Sequence, residues 1–219
     1  MFIFQPDRHS IEGFVADLAP RMTGKVLDVG AGDGNRYRTY FRHAKYITLD
    51  CNAAFSPDLL ASADKVPLPD ASIDHILMIE VLENIYNLEE TVKELARVLK
   101  PGGLLVATAP FFAAFCADNI DYWRFTTNSV RKLFEPWFDV KMEWRGGFFS
   151  HMVQDAIKYP CFRFNLYCHR WIGTSFSFIV RPLGLFALFL DRRNKHEASK
   201  RFCFGVNIIA KRKQQSPTK

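Results

Sequence analysis

Cysteine is scarce in this chain, at five among 219 residues, and no two of Cys51, Cys116, Cys161, Cys168 and Cys203 form a C-x-x-C pair. An odd, scattered set excludes a disulfide framework and gives no zinc cluster, so the chain reads as intracellular and reduced, with no metal expected. Internal repeats and low-complexity tracts are absent, which excludes solenoids and fibrous arrays. The start, Met1 to Arg8, lacks the basic opening and long apolar run of a signal peptide, so a cytoplasmic location is expected. Acidic residues are the minority: 29 Lys and Arg against 23 Asp and Glu leave a net charge of +6. That balance permits contact with nucleic acid, anionic lipid or phosphorylated substrates without choosing among them, and part of it lies in the tail at Lys211, Arg212, Lys213 and Lys219.

What is present is enough apolar sequence, 48% of residues, for one domain with a sizeable core. Ile11 to Leu18 has helical apolar spacing and ends before Pro20. Lys25 to Gly30 reads as a buried strand, and a helix-compatible stretch passes through Arg38 to Arg42. Tyr46 to Asp50 is a second strand and Ile73 to Ile79 a third. Leu88 to Leu99 carries Val92, Leu95, Ala96 and Leu99 on one helical face and is stopped by Pro101-Gly102-Gly103, after which Leu104 to Ala109 is again a strand. This alternation predicts an α/β fold with a parallel sheet covered on both faces. It breaks after about Gly146: residues 148–200 are dense in aromatics and read as an insertion. Phe202 to Ala210 then returns to strand character and is expected to rejoin the sheet at an edge.

Val26 to Gly34 (VLDVGAGDG) is a strand running into a glycine turn, where backbone N–H groups and the missing side chains suit a ligand cradle. Its G-x-G-x-G spacing and the acid Asp28 speak against a nicotinamide site. Asp50 ends the next strand 50 − 28 = 22 residues after Asp28, near the ~20-residue offset at which a carboxylate meets ribose hydroxyls. A tight strand-to-helix turn built of glycine for structural reasons alone is the alternative.

With VLDVGAGDG, ITLD, VPLPDASIDHILMIEVLENI and ELARVLKPGGLLVATAPF in order over roughly residues 8–145, the chain resembles the class I S-adenosylmethionine-dependent methyltransferases, specifically the branch related to quinone biosynthesis. The resemblance implies a Rossmann-like seven-stranded, mostly parallel sheet with helices on both faces and its last strand antiparallel. It implies S-adenosylmethionine as cofactor: Gly30, Ala31 and Gly32 under the methionine part, Asp28 nearby, and Asp50 at the ribose, with Cys51 beside the adenine. Ser62 stands where the family often has Asp, and Ala63 and Asp64 follow as adenine-side candidates. Glu80 lies with Glu83 at the carboxyl edge of the sheet, and Asn84 replaces the family's usual His.

The acceptor is read partly from absences. No Asn/Asp-Pro-Pro-aromatic segment and no Pro-Cys nucleophile follow the strands, so methylation of DNA bases is disfavoured. Asp121 to Thr126 (DYWRFT) resembles a segment of polysaccharide-associated methyltransferases, although Phe115-Cys116-Ala117-Asp118 replaces their upstream His-x-x-Pro. Tyr122 offers a flat face and Arg124 a donor fork to an acceptor; equally, Trp123 and Phe125 fit a core and Arg124 an ion pair. His151 is the candidate base, whereas His43 and His75 read as structural. Trp171 to Leu190 is long enough to span a membrane, but Arg181 and Pro182 oppose that. Ile172, Phe176, Ile179, Leu183, Phe186 and Leu190 form an apolar stripe opposite Thr174, Ser177, Arg181 and Gly184. A lid or core helix is favoured over peripheral membrane contact through residues 171–193, near Arg192, Arg193 and Lys195. The expected function is in-line methyl transfer to a small molecule, sugar or lipid-linked intermediate. The alternatives are a noncatalytic binding module of this fold, or methylation of RNA or protein.

Overall fold

In the computed structural model, which describes residues 3–34, 36–115, 120–194 and 196–214, seven strands form one sheet. They are β1 (Lys25–Val29), β2 (Lys45–Asp50), β3 (Leu59–Leu60), β4 (Ile73–Ile79), β5 (Leu99–Pro110), β6 (Phe138–Arg145) and β7 (Gly205–Arg212). Their order is β3-β2-β1-β4-β5-β7-β6. The first five pair in parallel and β7 runs antiparallel. Cys116, Ala117 and Asp118, together with Lys195 and Lys219, lie outside the described residues.

The central strands are buried on both faces, as parallel strands flanked by helices must be: Leu27, Ile76, Leu77, Met78, Leu105 and Val106 are fully enclosed. Helix α1 (Pro6–Leu18) leads in, α2 (Leu88–Val98) follows β4, and α3 (Thr127–Phe134) follows β5. The α2 helix buries Val92, Leu95 and Ala96, the face expected from their spacing.

Several expectations need correction. Among the described residues between β1 and β2 there is no α-helix, only a single turn of 3-10 helix at Arg38–Phe41. The glycine turn therefore feeds a loop, and its ligand-facing N–H groups belong to the turn itself. Strand β5 begins at Leu99, so Pro101-Gly102-Gly103 lies within it and does not end the preceding helix. At Gly103 a side chain would collide with the Asp74 carbonyl at 2.6 Å, which explains the glycine in the strand. Finally, β7 is not an edge strand: it lies between β5 and β6, with Val206, Ile208 and Ala210 fully buried.

The residues group into two compact units, Phe14–Glu143 with Val206–Lys219, and Met1–Gly13 with Trp144–Gly205. The second contains α4 (Phe148–Arg163), α5 (Arg170–Arg193) and the short α6 (Glu197–Lys200). Within it Asp191 accepts hydrogen bonds from Phe149 N and Ser150 N, capping the start of α4 from the end of α5. Arg145 is buried and its Nε is 2.6 Å from Asp7 Oδ1. The α5 helix continues through Pro182, which is exposed, because Val180, Gly184 and Ala187 pack on the opposite side and hold both halves.

Most of the apolar stripe of α5 points outward, although Phe176 is partly buried against a core cluster. Ile172, Ile179, Leu183 and Phe186 are exposed, while the small residues Gly173, Gly184 and Ala187 are buried.

Candidate functional site

Strand order reverses between β1 and β4, and in open α/β sheets ligands bind at the carboxyl ends of the strands flanking such a point. Here β1 ends in the glycine turn and β4 ends at Glu80. The two meet closely: a side chain at Gly30, where φ is +66°, would strike Val81 Cγ2 at 2.5 Å. Gly32 also has positive φ, +57°, yet among the described residues nothing beyond its chain neighbours lies within 4 Å of where its Cβ would be. Its neighbour space is open, as a ligand cradle requires.

Asp50 closes the turn. Its Oδ2 accepts from Gly32 N at 2.9 Å and its Oδ1 from Asn52 N at 2.8 Å. Each carboxylate oxygen has two acceptor positions, so each keeps one for a ligand hydroxyl. Gly30 N and Ala31 N both donate to Leu49 O, fixing the turn to the end of β2.

Asp28 is 4% exposed and accepts from the Tyr46 hydroxyl. Burial pushes its carboxyl up to about 7, opposed by the Tyr46 hydrogen bond and assisted by the nearby charge of Asp50. Tyr46 was not singled out from the sequence, although the alternation of β2 could have found it. Asp28 pairs with Thr48 in parallel register, so Tyr46, Thr48 and Asp50 share its face.

Among the adenine-side candidates, Ala61 N donates to Asp50 O, placing the 61–64 segment beside the end of β2. Hydrogen bonds from the Ser62 hydroxyl and from Asn87 hold Asp64 below the usual carboxylate range against some desolvation. Ser62 is exposed, and Ala63 is partly buried. Cys51 is exposed. Glu80 takes φ +54°, a left-handed conformation costing a non-glycine residue about 1–2 kcal/mol, and its N–H donates to Thr108 Oγ1. Such strain gathers at ligand sites. Asn84 Nδ2 is 3.5 Å from the Glu80 carbonyl. A charged cleft along α2, lined by Glu90, Lys93, Arg97 and Arg212, shares only Asp64 with these residues.

The Asp121–Thr126 segment docks against the loop after β4. Tyr122 N and Trp123 N donate to Glu83 O, Trp123 Nε1 donates to Ile85 O, and the Tyr122 ring meets Tyr86 edge-on at 5.4 Å. Phe125 is buried. The Arg124 fork grips both oxygens of Asp121, with Nη2 to Oδ2 at 2.7 Å, and reaches the carbonyls of Ala113 and Ala114. That arrangement makes Arg124 a brace of its own loop. His75 Nδ1 accepts from Leu104 N, and His43 hydrogen-bonds the Ala19 carbonyl; both are structural. His151 is buried on α4 with Nε2 3.2 Å from Asp155 Oδ2. No His/Cys/Asp/Glu cluster suited to a metal occurs among the described residues.

The strand order and this turn together match the fold of class I S-adenosylmethionine-dependent methyltransferases. Residues 27–107 match the family described as Methyltransferase domain. A demethylmenaquinone methyltransferase from Tropheryma whipplei is 34% identical over 152 aligned positions, covering 53% of this chain and 61% of that protein. A SAM-dependent methyltransferase from Archaeoglobus fulgidus shares the fold, with TM-score 0.61 at 17% identity over 94% of each chain. So does phosphoethanolamine N-methyltransferase 2 of Haemonchus contortus, solved with S-adenosyl-L-methionine. Its TM-score is 0.57 at 14% identity, covering 93% of this chain and 53% of that one.

Proposed function

We propose that this chain transfers the methyl group of S-adenosylmethionine to a lipid-linked ring acceptor by in-line displacement. The observation that carries the reading is the Asp50 carboxylate, fastened to Gly32 N and Asn52 N with acceptor positions to spare beside the open space at Gly32. A diol and a carboxylate pair well, so Asp50 holds the ribose and the Gly30–Gly32 turn lies along the amino-acid part, with Asp28 nearby. Exposed Cys51 and the 62–64 segment flank the base. When bound, S-adenosylmethionine supplies a methyl group already activated on sulfonium. The protein's share is therefore alignment and exclusion of water.

The acceptor class rests on the relative named as acting on demethylmenaquinone, and on the paired rings of Tyr86 and Tyr122, which suit a planar group. The resemblance of Asp121 to Thr126 to polysaccharide-associated methyltransferases favours a sugar as the second reading.

Titration calorimetry with S-adenosylhomocysteine is the test, on wild type and Asp50→Ala, both checked as folded. We expect wild-type binding weakened by about tenfold or more in the variant, since two charge-assisted hydrogen bonds are lost. No binding by folded wild type overturns the reading. Methyl-labelled cofactor given to extracts then separates lipid from glycan acceptors by the fraction that takes up label.

A further inference from the structure

The unit that holds α4 and α5 is built the wrong way round for water. On α5 the buried side carries Gly173, Gly184 and Ala187, and Gly184 is so close to the N-terminal segment that a side chain there would meet Phe4 at 2.5 Å. Val180 and Leu188 are buried there too, but six large apolar residues lie on the opposite side: Trp171 is 87% exposed, Phe178 76% and Ile179 75%, with Leu183, Phe186 and Phe189 also exposed. At helical spacing these six residues form one face without a charge from Trp171 to Phe189. Soluble monomers rarely leave an apolar patch of this kind bare.

The charges nearby point to what covers it. Arg170, Arg181 and Arg192 are each eleven residues apart (181 − 170 = 192 − 181 = 11), and eleven residues are just over three full turns. The three exposed guanidinium groups therefore form a row along one edge of the apolar face. Arg193 and Arg163 lie over the rings of Phe189 and Phe164, at 4.6 and 5.5 Å, keeping further cations beside apolar surface. From Ala156 to Arg193 there are six basic residues, and Asp191 is the only acid, already engaged in capping α4.

We infer that α5 lies flat on an anionic phospholipid bilayer, its Phe178–Ile179 face in the acyl boundary and its arginine row at the lipid phosphates. The helix is long and apolar enough to cross a membrane, but its packed side and Arg181 favour lying over spanning. The inference stands independently of methyl transfer, because it needs neither cofactor nor acceptor.

The test is cosedimentation of the whole chain with phosphatidylcholine vesicles, with and without phosphatidylglycerol. Binding is expected only with phosphatidylglycerol and is expected to weaken in high salt. Phe178→Ser with Ile179→Ser should lower the partition coefficient by about tenfold or more. Both residues are exposed, so folding should be unaffected, as circular dichroism will check. Arg170→Glu with Arg192→Glu should abolish the preference for anionic vesicles. Failure of folded wild type to sediment, or sedimentation unmoved by the Phe178 and Ile179 changes, overturns the inference. So does a dimer dispersed by those changes without vesicle binding, which would assign the face to a second copy of the chain.

Discussion

At the scale of single residues, Asp28 joins stability to function. Its folded-state carboxyl titrates at about 7, whereas the unfolded chain releases the same proton in the ordinary carboxylate range. Between those two values the folded state binds more protons, so the stability Asp28 contributes is complete in acid and is lost as pH rises through about 7. Asp28→Asn keeps an acceptor for Tyr46 and removes the buried charge. The variant should melt higher than wild type near pH 8, by clearly more than near pH 5, read by circular dichroism; an equal shift at both would overturn the account. The places of Asp28 within β1 and Asp50 at the end of β2 were legible because each strand is a short apolar run that carries its acid. Tyr46 was not read, because its partner depends on the register of two strands.

At the scale of elements, local signals were readable wherever local chemistry decides the outcome. Helix α3 begins at Thr126, whose Oγ1 accepts from Ser129 N while Ser129 Oγ accepts from Thr126 N. Thr126→Ala removes one half of this reciprocal cap and should cost about 1 kcal/mol in denaturant unfolding. A loss near zero would show that packing of Val130 and Phe134 alone holds the helix. Strands β1, β2 and β4 were clear from their apolar runs. The interior position of β7 was not, since strand order is decided by non-local pairing and the same apolar run suits an edge or a centre. The α5 face was misjudged for a related reason: periodicity shows that a helix has two unlike sides, but not which of them the rest of the protein covers.

At the scale of the whole molecule, the division into two units was only partly visible in composition. The change after Gly146 is visible in the aromatics, but nothing local shows that the first thirteen residues join the later segment. The tie is Asp7 to Arg145, 138 residues apart in sequence and both buried. Each partner helps to neutralise a buried charge, so Asp7→Ala and Arg145→Ala should each destabilise the fold in urea unfolding, by up to about 3–5 kcal/mol. Replacing both, with Arg145→Met, should recover part of that loss; additive losses would show that the pair is not coupled.

The fastening of the glycine turn also affects how a ligand is met. Gly30, Ala31 and Gly32 are held to Leu49 and Asp50 by the protein's own hydrogen bonds. The freedom of that backbone is therefore surrendered during folding, and association has little left to immobilise. A rigid cradle of this kind lets affinity reflect the contacts a ligand makes, with little conformational entropy set against them.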